Sequence, residues 1–129
     1  MSVTERQAVI ADVVFDGTTS HRDAAVIIEG AEILAVTEAR ELPGAMRRRR
    51  LSEGAWLAPG FIDVQVNGGG GVMLNDHPDV ASLETICKAH APFGTTALLP
   101  TLITDTPDVT AAAIAAGGAA MLQKVTRTR

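Results

Sequence analysis

Ala58-Pro59-Gly60-Phe61-Ile62-Asp63-Val64-Gln65-Val66-Asn67-Gly68-Gly69 is the stretch on which the fold turns. Pro59-Gly60 is a tight turn, Phe61–Val66 has the apolar content of a strand, and a glycine run follows. Alternate residues of a strand share a face. Asp63, Gln65 and Asn67 therefore lie on one side, and Ile62, Val64 and Val66 on the other. A catalytic barrel strand needs this pattern: its apolar side packs under helices, and its polar side opens into a pocket at the strand's C-terminal end.

Downstream of this strand the pattern alternates between strand and helix. Ser82 is the expected N-cap of a helix carrying Leu83, Ile86, Cys87 and His90 on one stripe, with Gly94 as its stop. Thr95–Leu99 is a second strand. Thr106 caps a second helix beginning at Pro107, with Val109, Ala112, Ala113 and Ala116 at helical spacing and a break at Gly117-Gly118. Alternation of this kind implies parallel pairing with right-handed crossovers. The expected class is α/β, the start of a TIM-like (β/α)8 barrel. A complete barrel takes about 250 residues, so 58–129 hold about two βα units and the barrel is incomplete.

Upstream, residues 8–57 read as short strands: Ala8–Phe15, then Ala24–Ile28, then Glu32–Val36, separated by an Asp16-Gly17 turn and a Glu29-Gly30 hairpin. The expected division is 1–57 and 58–129. The sheet exposes edges that another segment should cover. The chain is expected to be an N-terminal piece of a longer protein, with 117–129 atypical and Lys124–Arg129 without structure.

Composition sets further bounds. The 129 residues are 47% hydrophobic and 20% charged, with a formal net charge of -4. That argues against nucleic acid, which asks for a basic face. Arg47-Arg48-Arg49-Arg50 reads as a solvated loop. No run reaches the roughly 18 apolar residues of a membrane span, and Met1–Arg6 lacks a secretory pattern. The single cysteine, Cys87, allows no intrachain disulfide and fits a small core position. These features lead to the expectation of a cytoplasmic protein with neither nucleic acid nor membrane as partner.

Pro59-Gly60-Phe61-Ile62-Asp63, followed by a polar-x-polar pair, resembles the first barrel strand of the metal-dependent amidohydrolase superfamily. Most members carry His-x-His there, whereas this chain has Gln65-x-Asn67. With Gly68-Gly69-Gly70-Gly71-Val72, Asn75-Asp76, Gly94-Thr95-Thr96 and Leu99-Pro100-Thr101-Leu102-Ile103-Thr104, the pattern is similar to the N-acetylglucosamine-6-phosphate deacetylase family. The resemblance implies hydrolysis of an N-acetyl amide on an amino-sugar phosphate, giving glucosamine 6-phosphate and acetate. It implies that residues 1–57 are part of a small β-sandwich completed by distant strands. It also implies a divalent metal, zinc by preference, and a homodimer for the full-length protein. The family's main metal ligands and its general base lie in segments that this chain does not contain, so the 129 residues alone are expected to be inactive.

The expected lining of the site is Gln65, Asn67, Gly68, Gly69 and Thr101. Neutral amides are poor zinc ligands beside imidazole or carboxylate, so Gln65 and Asn67 are metal-adjacent at most. The alternative is that they are polar residues on a solvated strand face. Asp63 is placed to brace the floor, and Thr104 stands with Thr101 near the mouth. The glycines lack the spacing of a P-loop or a dinucleotide fingerprint and supply backbone freedom instead. Asn75-Asp76 reads as a loop and helix entry. His21, His77 and His90 share no metal-ligand spacing and read as surface or supporting groups. Two other functions compete. One is a dihydroorotase- or hydantoinase-like amidohydrolase, which would want histidines at 65 and 67. The other is a non-catalytic domain that binds a partner through its open sheet edges.

Overall fold

A computed structural model describes residues 5–123. The fold is mixed α/β, with nine strands and two α-helices among those residues. It forms two compact units divided between Pro59 and Gly60.

The first unit is a five-stranded sheet. β1 (Arg6–Phe15), β2 (Ser20–Glu29) and β3 (Glu32–Glu38) form an antiparallel meander. Gly30 at φ +61° opens the two-residue turn between β2 and β3, a conformation that a side chain would disfavour. At the other end of β1–β2, the Asp16 carboxylate accepts from the backbone N–H groups of Thr18 and Thr19, each at 2.8 Å, and lies 2.6 Å from His21 Nε2. The chain then returns to the far side of β1 as β4 (Arg47–Arg50) and β5 (Trp56–Leu57), both parallel to it. The arginine run is therefore an edge strand rather than a loop. Its backbone is held by the β1 ladder, while its side chains stay exposed. Arg50 reaches Asp23 at 2.6 Å and Asp12 at 3.4 Å, and Arg48 donates to the carbonyls of Leu42 and Pro43.

This sheet has apolar groups on both faces. Ala8, Ile10 and Ala25 pack with Ala39 and Leu42 from the short 3-10 turn and segment after β3. Ala11, Val14, Ala24 and Val26 form a second cluster, with Ile28, Val36, Leu51 and Leu57 against it. Beside that second cluster lies an apolar cavity of about 200 Å³, lined by Val14, Val26, Ile28, Ile33, Val36 and Leu57 among others.

The second unit begins with β6 (Phe61–Val66), which pairs in parallel with β9 (Thr95–Pro100). Between them lie the hairpin β7 (Gly68–Gly69) with β8 (Val72–Met73) and helix α1 (Val80–His90). α1 is capped by Asp79, whose carboxylate accepts from Ser82 N–H at 2.8 Å. The expected cap, Ser82, lies inside the first turn and is buried, because the aspartate three residues earlier supplies the acceptor. Glu84 and Lys88 pair across one turn of the exposed face. α1 ends at His90, and a 3-10 turn over Ala91–Phe93 carries the chain to Gly94 at φ +91°.

Helix α2 (Pro107–Leu122) starts as expected, with Thr106 Oγ1 accepting from Val109 N–H and Pro107 in the first turn. It does not break at Gly117-Gly118. Two glycines cost about 2 kcal/mol of helix propensity relative to alanine, but alanines flank them, and Ala116 and Ala120 are buried in the core on either side. The stretch Lys124–Arg129 lies outside the described residues.

That core joins Val66, Leu74, Leu83, Ile86, Cys87 and Leu98 to the two helix alanines. Burial of side chains such as Leu83 and Ile86 contributes roughly 1.5–3 kcal/mol each. Of the apolar face expected for β6, only Val66 is packed. Ile62 and Val64 are 70% and 69% exposed. The helices pack against this two-stranded sheet through Val66 and Leu98.

Two glycines of the second unit should respond oppositely to alanine. A Cβ at Gly60 would overlap the Thr96 side chain, while one at Gly118 meets open space. Gly60→Ala should lower stability by about 1–3 kcal/mol through overpacking, and Gly118→Ala should raise it by about 0.5–1 kcal/mol. Chemical denaturation of each variant checks the two signs.

Acid should weaken the first unit in a defined window. His21, with help from the two turn amides, draws the Asp16 pKa down to about 2. A carboxylate depressed in the folded state stabilises above its ordinary value near 4, and that contribution is lost as pH falls towards 2. The pH dependence of unfolding between about 4 and 2 should be shallower in His21→Ala, and direct titration of Asp16 should show its pKa moving up.

Candidate functional site

The sequence-predicted residues converge on the C-terminal end of the β6–β9 pair. There Thr101 N–H donates to Val66 C=O at 2.8 Å, extending the pairing one residue past the strands. Asn67 Nδ2 donates to Thr101 C=O at 2.8 Å, and Asn67 C=O accepts from Leu74 N–H at 3.0 Å. Asn67 is thus committed on its nitrogen side, leaving Oδ1 as the polar atom without a partner among the described residues. Gln65 is exposed, and its side-chain amide makes no hydrogen bond among those residues. The Asp63 carboxylate turns back to accept from Gln65 N–H at 3.1 Å, a local brace on the strand. Thr101 Oγ1 donates to Leu99 C=O at 3.2 Å. Thr104 is exposed.

The tetraglycine is a two-residue β-hairpin. Gly70 and Gly71 occupy the turn at φ +64° and +82°, the doubly left-handed geometry of a type I′ turn. Gly68 and Gly69 are needed for space rather than for φ. A Cβ on Gly68 would run into the backbone of Val72, and one on Gly69 would come within 2.9 Å of His90 Nε2. Four glycines in a row therefore follow from two separate constraints on one hairpin. His90, half-buried at the end of α1, donates from Nε2 to Gly68 C=O at 3.0 Å and ties the hairpin to the helix. A helical stripe in the sequence identifies His90 as inward-facing, but nothing local marks its carbonyl partner 22 residues away.

Asn75 is a contact the sequence does not reveal. Its Nδ2 donates to Ile103 C=O at 2.9 Å and to Asp105 Oδ2 at 2.8 Å, and its Oδ1 accepts from Ile103 N–H at 3.1 Å. The Asn75 amide and the Thr106 N–H hold the Asp105 carboxyl below the usual carboxylate range. Cys87 is buried in the core, as expected, and burial pushes its thiol up, away from nucleophilic use.

Among the described residues, no three of His, Cys, Asp and Glu gather where they could hold a metal ion. His21 and His77 stand apart from the β6–β9 end in sequence and pairing: His21 is in β2, and His77 is in the loop before α1. The amide pair does not make up the deficit, since one amide nitrogen is already donating and neutral amides bind metals weakly. No described helix is long and apolar enough to cross a membrane.

The second unit is thus a parallel β-α-β arrangement with two amide side chains at the C-terminal end of its first strand. The chain is a homologue of the N-acetylglucosamine-6-phosphate deacetylases over part of their length. It is 42% identical over 99 residues to the N-acetylglucosamine-6-phosphate deacetylase of Haemophilus influenzae, covering 77% of this chain and 26% of that protein. It is 55% identical over 64 residues to the N-acetylgalactosamine-6-phosphate deacetylase of Shewanella sp. (strain ANA-3), covering 50% of this chain and 16% of that protein. The crystal structure of N-acetylglucosamine-6-phosphate deacetylase from Pasteurella multocida superposes with a TM-score of 0.83 at 30% identity, over 92% of this chain and 31% of that one. A scan of protein-family models gives no match. The chain thus spans less than a third of the length of each of these relatives.

Asn67→Asp tests the brace. It places a carboxylate oxygen against Thr101 C=O in place of a donor, and an unsatisfied or repulsive half-buried pair costs about 1–3 kcal/mol. Stability measured by denaturant titration at neutral pH should fall by that amount. An unchanged midpoint would mean that the brace carries no weight.

Proposed function

We propose that this chain supplies the first part of an amidohydrolase that removes the N-acetyl group from an N-acetylhexosamine 6-phosphate, in the first place N-acetylglucosamine 6-phosphate. The observation that carries this is Gln65-x-Asn67 at the open end of β6, beside the glycine hairpin, in a segment similar to deacetylases of that class. The names of the relatives differ in the sugar but share the N-acetyl amide and the 6-phosphate, and the proposal commits to those two groups. The β6–α1–β9–α2 run is then the start of a (β/α)8 barrel. The first sheet is part of a β-sandwich, a reading supported by its apolar cavity on one face.

In this role the exposed Gln65 amide offers both a donor and an acceptor to the acetamido group or a sugar hydroxyl, and Asn67 offers Oδ1. Gly68 and Gly69 keep the hairpin backbone bare of side chains beside them, and Thr101 fixes the level at which the second strand ends. A divalent metal, zinc by preference, would supply a polarised carbonyl and an activated water in such a hydrolysis. The described residues do not fit it, so its ligands and the general base belong to other parts of the protein. Homodimerisation of the complete protein is part of the same proposal.

Acetate release decides between the readings. The complete protein that carries this segment should release acetate from N-acetylglucosamine 6-phosphate, and Gln65→Ala should lower kcat/KM by about 10–100-fold, as loss of a positioned hydrogen-bonding group does. The 129-residue chain alone should release none. A complete protein that opens a cyclic amide such as dihydroorotate, and leaves the sugar phosphate intact, would overturn the proposal in favour of the hydantoinase-like alternative.

A further inference from the structure

We infer that Asn75 is a positioning residue for this site, an amide staple that locks the loop following the first strand to the loop following the second. The inference rests on the deacetylase reading for its catalytic consequence, and on geometry alone for the staple itself.

Asn75 lies just beyond the glycine hairpin, and Ile103 and Asp105 lie in the segment between β9 and α2. The Asn75 side chain satisfies both backbone groups of Ile103, as a neighbouring strand would, through Nδ2 to C=O at 2.9 Å and N–H to Oδ1 at 3.1 Å. Its second Nδ2 proton goes to Asp105 Oδ2 at 2.8 Å. An amide is the one uncharged side-chain group that can donate twice and accept at once. Asp105 in turn accepts from Thr106 N–H at 2.7 Å, and Thr106 caps α2. The chain of bonds therefore runs from the glycine hairpin's exit to the start of α2. On the other side of the same two loops, Asn67 holds Thr101. The two asparagines pin one short segment, 101–105, at both of its ends, and Asn67 is itself one of the two amides of the candidate site. Loss of the outer pin leaves the second loop held at Thr101 only, and misplacement by about 1 Å in such a site costs on the order of 100-fold in rate.

The test exploits the neighbouring carboxylate. Asn75→Asp sets a second carboxylate against Asp105 and against Ile103 C=O, while Asp105→Asn in the same protein returns a donor to the pair. In the complete protein, Asn75→Asp should lower kcat/KM for N-acetylglucosamine 6-phosphate by about tenfold or more. Asn75→Asp/Asp105→Asn should recover part of that loss, with both variants folded by thermal melt. Hydrogen exchange of the Ile103 amide should be slow in the wild type, fast in the single variant and slowed again in the double. An unchanged kcat/KM in Asn75→Asp, or a double variant no better than the single, overturns the positioning role. If the wild type releases no acetate, the role falls with the deacetylase reading, and persistent Ile103 protection then shows that the fault lies in the reading and not in the staple.

Discussion

The second unit depends on how two parallel strands are stopped at the same level. β6 and β9 have irregular register, with shifts after Phe61 and after Asp63, so ladder bonds alone do not define their ends. The definition comes from Val66 and Asn67. Val66 points into the core beneath the helices and receives the Thr101 N–H on its carbonyl, while Asn67 receives nothing on its side chain and donates to Thr101 C=O. One residue faces the helices and the next holds the neighbouring strand. Everything above that level, the glycine hairpin and the two loops, inherits its position from it.

The hairpin illustrates how such a platform is kept low. Gly70 and Gly71 bend the chain back within two residues, Gly68 and Gly69 let the returning strand and His90 come close, and Leu74 re-enters the core at once. Any side chain within the four positions would either lift the hairpin off α1 or force its turn open. The packing requirement and the access requirement therefore select the same residue. For that reason the glycine run cannot by itself tell structure from function.

Much of this was legible in the residues. The apolar content of 61–66 marked a strand, and Thr106-Pro107 marked the start of α2. These signals are local, and local chemistry decides them. The errors lie where a distant partner decides. Arg47–Arg50 carries no strand signature, because its strand state is imposed by β1 from 40 positions away. Asp79 displaced Ser82 as cap because two acceptors compete within one turn and the earlier one reaches the free amides. Gly117-Gly118 stayed helical because the buried alanines on each side fix the helix around them. The Asn75 staple left no trace, since an asparagine in a loop looks the same whether it binds water or a strand 28 residues on. Ile62 and Val64 were expected to pack under helices but are exposed, because what covers that face is not set by the strand's own sequence.

The arginine edge strand has a consequence for how the first sheet behaves in a crowded solution. Among the described residues, β4 lies at the outer edge of its sheet, with a rim of backbone groups that another strand could pair with. Docking a second copy edge to edge would bring two rows of guanidinium groups together at strand spacing, about 4.8 Å. Among the described residues, Arg47 and Arg50 have carboxylate partners to offset that, while Arg48 donates to carbonyls. The edge is thus guarded by mutual repulsion that reaches about 8 Å at physiological ionic strength and shrinks to about 3 Å in molar salt. Protection of this edge is a property of the medium as much as of the fold, and salting the solution weakens the guard while the backbone ladder of the sheet stays in place.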